Sequence, residues 1–251
     1  MIRNVEYGLF IDFGSTFTKV VLVDLDNLVV AGRTQRPSTV DTDITIALTA
    51  AMEDIDEILG GEVPYRYKLA TSSAAGGLKI AAIGLVPELT VEAAKRAALG
   101  AGAKITGVYA YQLTRKELEE IERASLDLIL LAGGTEGGEQ DTIISNAEKL
   151  AGLGDLHVPI IVAGNKTASD EVSSILASRG KDHVITDNVM PEIGVLEVDK
   201  VRAIIRELFI SRIIEAKGLK NAEEFIDEIL MPTPTAVLAA ARLLAEGAEG
   251  E

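Results

Sequence analysis

Asp12-Phe13-Gly14-Ser15-Thr16-Phe17-Thr18-Lys19 is the stretch that decides the fold. It joins two β-rich apolar runs, residues 7–13 and 19–24, through a short turn of small residues. Because so short a connection joins antiparallel neighbours, the stretch predicts the tip of a β-hairpin. Small residues at such a tip leave backbone N–H groups unobstructed, and these donors can surround the oxygens of a terminal phosphate.

The side chains of this turn suit the same chemistry. Hydroxyl groups at Ser15 and Thr16 add donors, and Lys19 brings a positive charge. Asp12, at the end of the first strand, is placed to act as the catalytic carboxylate and to hold Mg²⁺ through water, because Mg²⁺ dehydrates reluctantly. We therefore expect phosphate and metal contacts from Asp12, Gly14, Ser15, Thr16 and Lys19. The alternative is an ordinary β-turn that carries Gly, Ser and Thr.

The rest of the chain falls into three parts. A third run, Leu28–Thr34, is followed by a helix that begins at an N-cap, Asp41 or Thr42, and ends at Gly60-Gly61. From about Pro64 strands and helices alternate, which predicts a parallel sheet with covered faces. The predicted strands there are 67–71, 78–83, 105–111, 127–132, 159–163 and 183–186, and the helices are 90–101, 114–124, 139–151 and 168–179. From Asp199 three helices are predicted, at 201–216, 222–230 and 235–245.

A second glycine-rich loop, Gly133-Gly134-Thr135-Glu136-Gly137, follows a buried strand and precedes a helix. Parallel sheets present such loops to ligands. Against the dinucleotide pattern G-x-G-x-x-G, however, Ala132 fills the first glycine and no acid follows at the expected distance, which disfavours NAD. Two interpretations stay open. The glycines serve a tight turn, or Gly133, Gly134, Thr135 and Gly137 bind a small ligand, a nucleotide or a partner loop.

Composition excludes several classes of protein. The chain has 251 residues and a net charge of −15, which argues against nonspecific binding to nucleic acid or to anionic lipid. No apolar run approaches the ~20 residues that a membrane span needs. Cysteine is absent, which fits a reducing cytoplasm and removes thiolate chemistry. We expect a cytoplasmic protein; homo-oligomerisation is left open.

Several segments together resemble one family, the glutamate mutase accessory proteins called MutL or GlmL, within the actin, Hsp70 and sugar-kinase superfamily. These segments are 11–19, 71–77, 82–90, 131–138, 162–165, 188–192 and 231–237. The resemblance implies an α/β protein with an actin-like (ribonuclease H-like) ATPase half-domain, residues 1–63 plus 199–251. A parallel α/β (Rossmann-like) domain, residues 64–198, would be inserted in it.

The resemblance also implies a function. Members of this family are ATP-dependent reactivating chaperones that use ATP and Mg²⁺ and act on a subunit of an adenosylcobalamin-dependent mutase. The superfamily closes its nucleotide cleft with a second Asp/Gly-rich hairpin, and no such pattern follows Asp199. We therefore expect the N-terminal half of a longer protein, with hydrolysis only in that longer protein. Two alternatives are a small-molecule kinase and a non-catalytic ligand-binding or docking module.

Overall fold

The structure is a computed structural model that describes residues 5–40, 42–73, 77–99, 101–216 and 225–247. Its internal contacts divide the chain into two compact units. The first comprises Met1–Gly77 and Arg206–Glu251, and the second comprises Leu78–Ile205, so the second interrupts the first in sequence. The first boundary differs from the expected position at residue 64, because the strand that begins at Tyr65 pairs within the sheet of the first unit.

The first unit is built around a mixed five-stranded sheet. Its elements are β1 (Tyr7–Phe13), β2 (Phe17–Asp24), β3 (Val29–Pro37), α1 (Ile44–Leu59), β4 (Tyr65–Ser72), the later part of α6 (Asp199–Ala216), β10 (Glu228–Pro232) and α7 (Thr233–Glu246). The strand order is β10-β4-β1-β2-β3. Strands β1, β2 and β3 form an antiparallel meander, and β4 and β10 run parallel to β1. The expected α/β class is confirmed by this mixed sheet, and the actin-like assignment stays a prediction.

One face of this sheet forms the core of the first unit. Leu9, Ile11 and Phe13 of β1 are at most 3% exposed, and they alternate along the strand with Phe10 and Asp12, which lie on the other face. Helix α1 packs against β2 and β3 through a buried stripe at helical spacing, which includes Ile44, Leu48, Ala51 and Ile55. The covered face leaves Asp12 on the opposite, more accessible face of the sheet.

The ends of α1 follow from local hydrogen bonds. Its N-cap is Asp43, whose backbone is extended and whose carboxylate accepts from the Thr45 amide at 2.9 Å. The predicted cap was wrong by one or two positions: Thr42 lies outside the helix, and Asp41 is outside the described residues. Gly60 ends the helix as predicted, with a left-handed φ of 76° that favours glycine.

The helix predicted at 222–230 was also wrong. The described part of that segment contains β10, which pairs in parallel with β4 at the edge of the sheet. The apolar residues Ile226, Ile229 and Leu230 fit a helical spacing, but the hydrogen bonds of the neighbouring strand impose an extended backbone. Among the described residues, no helix combines the length and the apolarity needed to cross a bilayer.

The second unit contains a parallel sheet with helices between its strands. Its elements are β5 (Leu78–Gly84), α2 (Pro87–Ala98), β6 (Ala103–Ala110), α3 (Arg115–Arg123), β7 (Leu128–Leu131), α4 (Asp141–Ala151), β8 (Ile160–Val162), α5 (Ser169–Ser178), β9 (His183–Ile185) and the start of α6. The strand order is β6-β5-β7-β8-β9, and every pair is parallel. The central strands β7 and β8 are buried along their whole length, as their uninterrupted apolar sequences predict.

An ion pair between Arg36 of β3 and Asp54 of α1 connects the helix with the meander of the first unit. The Arg36 guanidinium donates two hydrogen bonds to the Asp54 carboxylate, one of them 2.9 Å long, and the Thr34 hydroxyl donates a third at 2.6 Å. Arg36, and after it Thr34, lower the pKa of Asp54 below its ordinary value. A lowered folded-state pKa stabilises the protein above the unfolded-state value of about 4, and this contribution is lost as the pH falls through the folded-state pKa.

We predict that Asp54→Asn is less stable than the wild type at pH 7 and loses less of its stability between pH 6 and pH 3. The reason is that the variant lacks the carboxylate that must be protonated at low pH. Thermal unfolding followed by circular dichroism across this range checks the prediction, with the exposed Glu122→Gln as control. Parallel pH profiles for Asp54→Asn and the wild type would contradict it.

Candidate functional site

Two exposed residues, Ser15 and Thr16, form the tip of the hairpin between β1 and β2. Below them, the Gly14 amide donates to the Phe17 carbonyl at 3.0 Å and to the Asp12 carbonyl at 3.2 Å. Glycine is required at position 14, because a Cβ atom there would lie 2.7 Å from the Phe17 carbonyl oxygen. The Gly14 amide is therefore used within the turn, whereas Ser15 and Thr16 at the tip are exposed, and the phosphate contact expected of Gly14 stays a prediction.

Beside the tip, the Asp12 carboxylate is the centre of a polar cluster. Its Oδ2 atom lies 3.2 Å from the Lys19 ammonium, which faces it directly across the β1–β2 ladder. Its Oδ1 atom accepts hydrogen bonds from the Thr233 hydroxyl at 2.7 Å and from the Thr71 hydroxyl at 3.4 Å. We call Asp12, Lys19, Thr71 and Thr233 the Asp12 cluster.

The sheet register brings these four residues together. Asp12 is opposite Thr71 in the β1–β4 pair, and Thr71 is in turn opposite Met231 in the β4–β10 pair. Thr233 comes directly after β10 and is the first residue of α7. The carboxyl ends of three neighbouring parallel strands therefore meet at the cluster, which is where α/β sheets commonly bind ligands.

Sequence reasoning predicted Asp12 and Lys19 but gave no role to the two threonines. Thr71 is the last residue of the predicted strand 67–71 and the first of the segment 71–77, of which 74–76 lie outside the described residues. Thr233 falls in the segment Met231–Val237, which served only for the resemblance. The available signal was a hydroxyl residue at the end of a strand, and for Thr233 this signal required knowledge that β10 is a strand.

The Asp12 cluster fits a hydrated metal and a phosphate better than a metal held by protein alone. Among the described residues, no group of three or more histidine, cysteine or acidic side chains is placed to hold a metal ion. Mg²⁺ commonly uses one or two carboxylates and completes its shell with water and substrate phosphate. Asp12 can supply such a carboxylate, since 24% of its side chain is accessible, and the side chain of Lys19 is half exposed beside it.

The start of α7 adds to the electrostatics of the cluster. Helix N-termini carry partial positive charge and unsatisfied N–H groups, which favour nearby anions. Thr233 and the proline that follows it begin α7, so this end of the helix adjoins the Asp12 carboxylate. Thr235, in the same first turn, has a hydroxyl oxygen that is shielded from solvent and has no hydrogen-bond partner among the described residues.

The second glycine-rich loop is held by its own hydrogen bonds. The Glu136 amide donates to the Pro191 carbonyl at 2.9 Å. The Gly137 amide donates to the Asn165 side chain at 3.1 Å, and the Gly138 amide donates to the Thr135 carbonyl at 3.0 Å. These amides are used within the loop and its neighbours, and the ligand contact expected of Gly137 stays a prediction. Gly134 is required for packing, because a Cβ atom there would lie 2.0 Å from the Glu139 carbonyl oxygen. Gly133, Gly134 and Thr135 instead line a pocket of the second unit.

Comparison with known proteins assigns the family. The profile of a family described as "MutL protein" matches residues 8–251. The chain belongs to the MutL family. It is 54% identical over 244 residues to "Protein MutL" of Clostridium tetanomorphum, an alignment that covers 97% of this chain and 53% of that protein. The MutL chain thus spans about half the length of the curated relative that it matches.

Two solved structures have a distant likeness to this MutL chain. A flavodoxin from Streptococcus pneumonia TIGR4 is 14% identical and covers 52% of this chain and 94% of its own, with a TM-score of 0.34. The ethanolamine utilization protein EutJ from Carboxydothermus hydrogenoformans is also 14% identical and covers 82% of this chain and 93% of its own, with a TM-score of 0.19. Neither TM-score supports a structural argument, so the fold is described from the strand order of its two sheets alone.

We predict that Gly14→Ala lowers the free energy of unfolding of this MutL chain by about 1–3 kcal/mol, because the new methyl group must displace the Phe17 carbonyl and distort the hairpin. Chemical denaturation monitored by circular dichroism measures the change. The control is Gly154→Ala, where no atom lies within 4 Å of the position that the added Cβ would take. Equal stabilities of the two variants would show that the Gly14–Phe17 contact does not constrain the turn.

Proposed function

We propose that this MutL chain binds the phosphates of Mg²⁺·ATP at the β1–β2 hairpin. We further propose that it forms part of an ATP-dependent reactivating chaperone for an adenosylcobalamin-dependent mutase of the glutamate mutase type. The observation that carries the nucleotide proposal is the Asp12 cluster. Its carboxylate is held by hydroxyls at the ends of two parallel strands and stands beside a lysine and an exposed turn.

The proposed phosphate contacts come from the hairpin tip and from Lys19. Ser15 and Thr16 are exposed, and their amides and hydroxyls can donate to phosphate oxygens. Lys19 is half exposed and makes a single ion pair, with Asp12, among the contacts of the described residues. An arriving polyphosphate offers Lys19 several oxygens, so its ammonium can turn from Asp12 to the ligand without losing its charge partner.

Asp12 would hold the metal through a water molecule bound to the ion. When bound, Mg²⁺ neutralises phosphate charge and orients the terminal phosphoryl group. The hydrogen bonds from Thr71 and Thr233 fix the orientation of the Asp12 carboxylate and engage only Oδ1, so Oδ2 is left to Lys19 or to a metal-bound water. One carboxylate oxygen of Asp12 is thus held by the protein, and the other can accept a hydrogen bond from a metal-bound water.

Hydrolysis is proposed only for proteins of the full length of the relative. Phosphoryl transfer depends on positioning and on charge stabilisation around the transferred group. The Asp12 cluster supplies one side of such an arrangement, and the chain spans 53% of the clostridial relative. For the chain alone we therefore propose weak binding of Mg²⁺·ATP and slow or absent hydrolysis.

The proposed partner is a subunit of the mutase. Support comes from membership in the MutL family, which the resemblance connects with glutamate mutase. The second unit interrupts the first in sequence, and we propose this inserted domain as the place of contact with the mutase. Partner binding and nucleotide binding would then use different units of one chain.

We predict that Asp12→Asn and Lys19→Met each weaken the binding of Mg²⁺·ATP at least about tenfold, because each removes one charge from the proposed contact with metal or phosphate. Phosphorus-31 NMR titration detects such binding even when it is weak. The control is Lys104→Met, which removes an exposed lysine of the second unit. Unchanged affinity in both Asp12→Asn and Lys19→Met would overturn the proposed site.

The partner proposal has its own test. Co-purification with the mutase, measured with and without Mg²⁺·ATP, is expected for the wild type. If Asp12→Asn retains mutase binding but loses its response to nucleotide, the two roles are separable as proposed. Absence of any mutase binding by the full-length protein would overturn the chaperone role and leave the nucleotide site untouched.

A further inference from the structure

The second unit contains a pocket that none of the proposed nucleotide chemistry uses. It lies at the carboxyl ends of β5 and β7 and encloses about 850 Å³ of space, the solvent at its mouth included. Three loops and the first turns of α2 surround it. Its apolar lining includes Leu85, Val86, Leu89, Ala132, Val189 and Ile193.

The position of this pocket in the sheet is informative. The chain leaves β5 to form β6 on one side of it, and later returns to form β7 on the other side. The loops after β5 and β7 therefore diverge and leave a crevice between them. In open parallel sheets, this topological switch point is where ligands bind. A concave, mostly apolar lining at such a point is typical of small-molecule sites.

Two polar side chains that line the pocket, Asn188 and Thr90, already have hydrogen-bond partners within the protein. The Asn188 side chain donates to the Gly134 carbonyl at 3.0 Å and accepts from the Met190 amide at 2.9 Å. The Thr90 hydroxyl donates to the Val86 carbonyl at 2.6 Å. A ligand therefore meets mainly apolar atoms, and a charged ligand would lose its hydration without receiving equivalent hydrogen bonds.

The charge of the surroundings also excludes a phosphate. Within the described part of the chain, no lysine or arginine lines the pocket, whereas Glu139 does. The adjoining loop carries Glu136, which is paired with Lys166 at 3.6 Å. The first turn of α2 contains Glu88, which opposes an anion at that helix N-terminus. A nucleotide or another phosphorylated ligand does not fit here.

We infer that this pocket binds an uncharged, mostly apolar small molecule. The site is independent of the Asp12 cluster, because every residue of its lining belongs to the second unit. Ligand binding in this pocket can therefore be tested separately from nucleotide binding at the Asp12 cluster. It also gives Gly133, Gly134 and Thr135 a role as part of the wall of an apolar site rather than as phosphate contacts.

A matched pair of fluorescent probes tests the inference on the full chain. N-phenyl-1-naphthylamine is neutral and apolar, and 1-anilinonaphthalene-8-sulfonate is the same molecule with an added sulfonate. We predict saturable binding of the neutral probe at one site per chain, with affinity at least about tenfold higher than that of the sulfonate, because the pocket lacks a partner for the negative charge. Absence of saturable binding, or tighter binding of the sulfonate, would overturn the inference.

Variants then locate the probe. Ile193 is 85% exposed, so Ile193→Glu can place a charge at the mouth with little risk to folding, and Ala132→Leu fills the interior. Both should weaken binding of the neutral probe about tenfold. The control is Leu244→Glu, which changes an apolar residue of α7 that is 89% exposed and outside the lining. Loss of binding in Leu244→Glu but not in Ile193→Glu would place the probe on α7 and refute the pocket site.

Discussion

The hydrogen bond from Thr233 to Asp12 is the contact on which the first unit's site depends. It joins residues 221 positions apart in sequence and connects the end of β1 with the start of α7. Because Thr71 donates to the same carboxylate oxygen, the orientation of Asp12 depends on the alignment of three parallel strands at once. A carboxylate held in this way is pre-oriented, and pre-oriented charge is what metal-assisted phosphate binding needs.

The two glycine-rich segments of the chain have different physical roles. In the β1–β2 hairpin, Gly14 lets the turn close tightly and leaves two exposed residues at the tip. In the loop after β7, the amides donate to neighbouring carbonyls and to Asn165, and the glycines allow close packing beside an apolar pocket. Similar sequences thus produce a polar turn in one unit and part of an apolar wall in the other.

Much of the fold follows from the sequence because most elements have a clear period and clear ends. Alternation in β1 and the stripe of α1 predict their buried faces, and the uninterrupted apolar runs of β7 and β8 predict central strands. Strand β10 could not be predicted, since its conformation depends on pairing with β4, far away in sequence. The role of Thr233 follows from that pairing and was missed for the same reason, whereas Thr71 contacts Asp12 through the pairing of β1 with β4.

The most direct test of the account is a titration of the ¹⁵N-labelled chain with Mg²⁺·ATP, followed by the backbone amide resonances. If the hairpin tip and the Asp12 cluster bind the phosphates, the largest shifts occur at Ser15 and Thr16, with smaller ones at Thr71 and Thr233. Shifts concentrated in the loop after β7, or no change at Ser15 and Thr16 at saturating nucleotide, would contradict it.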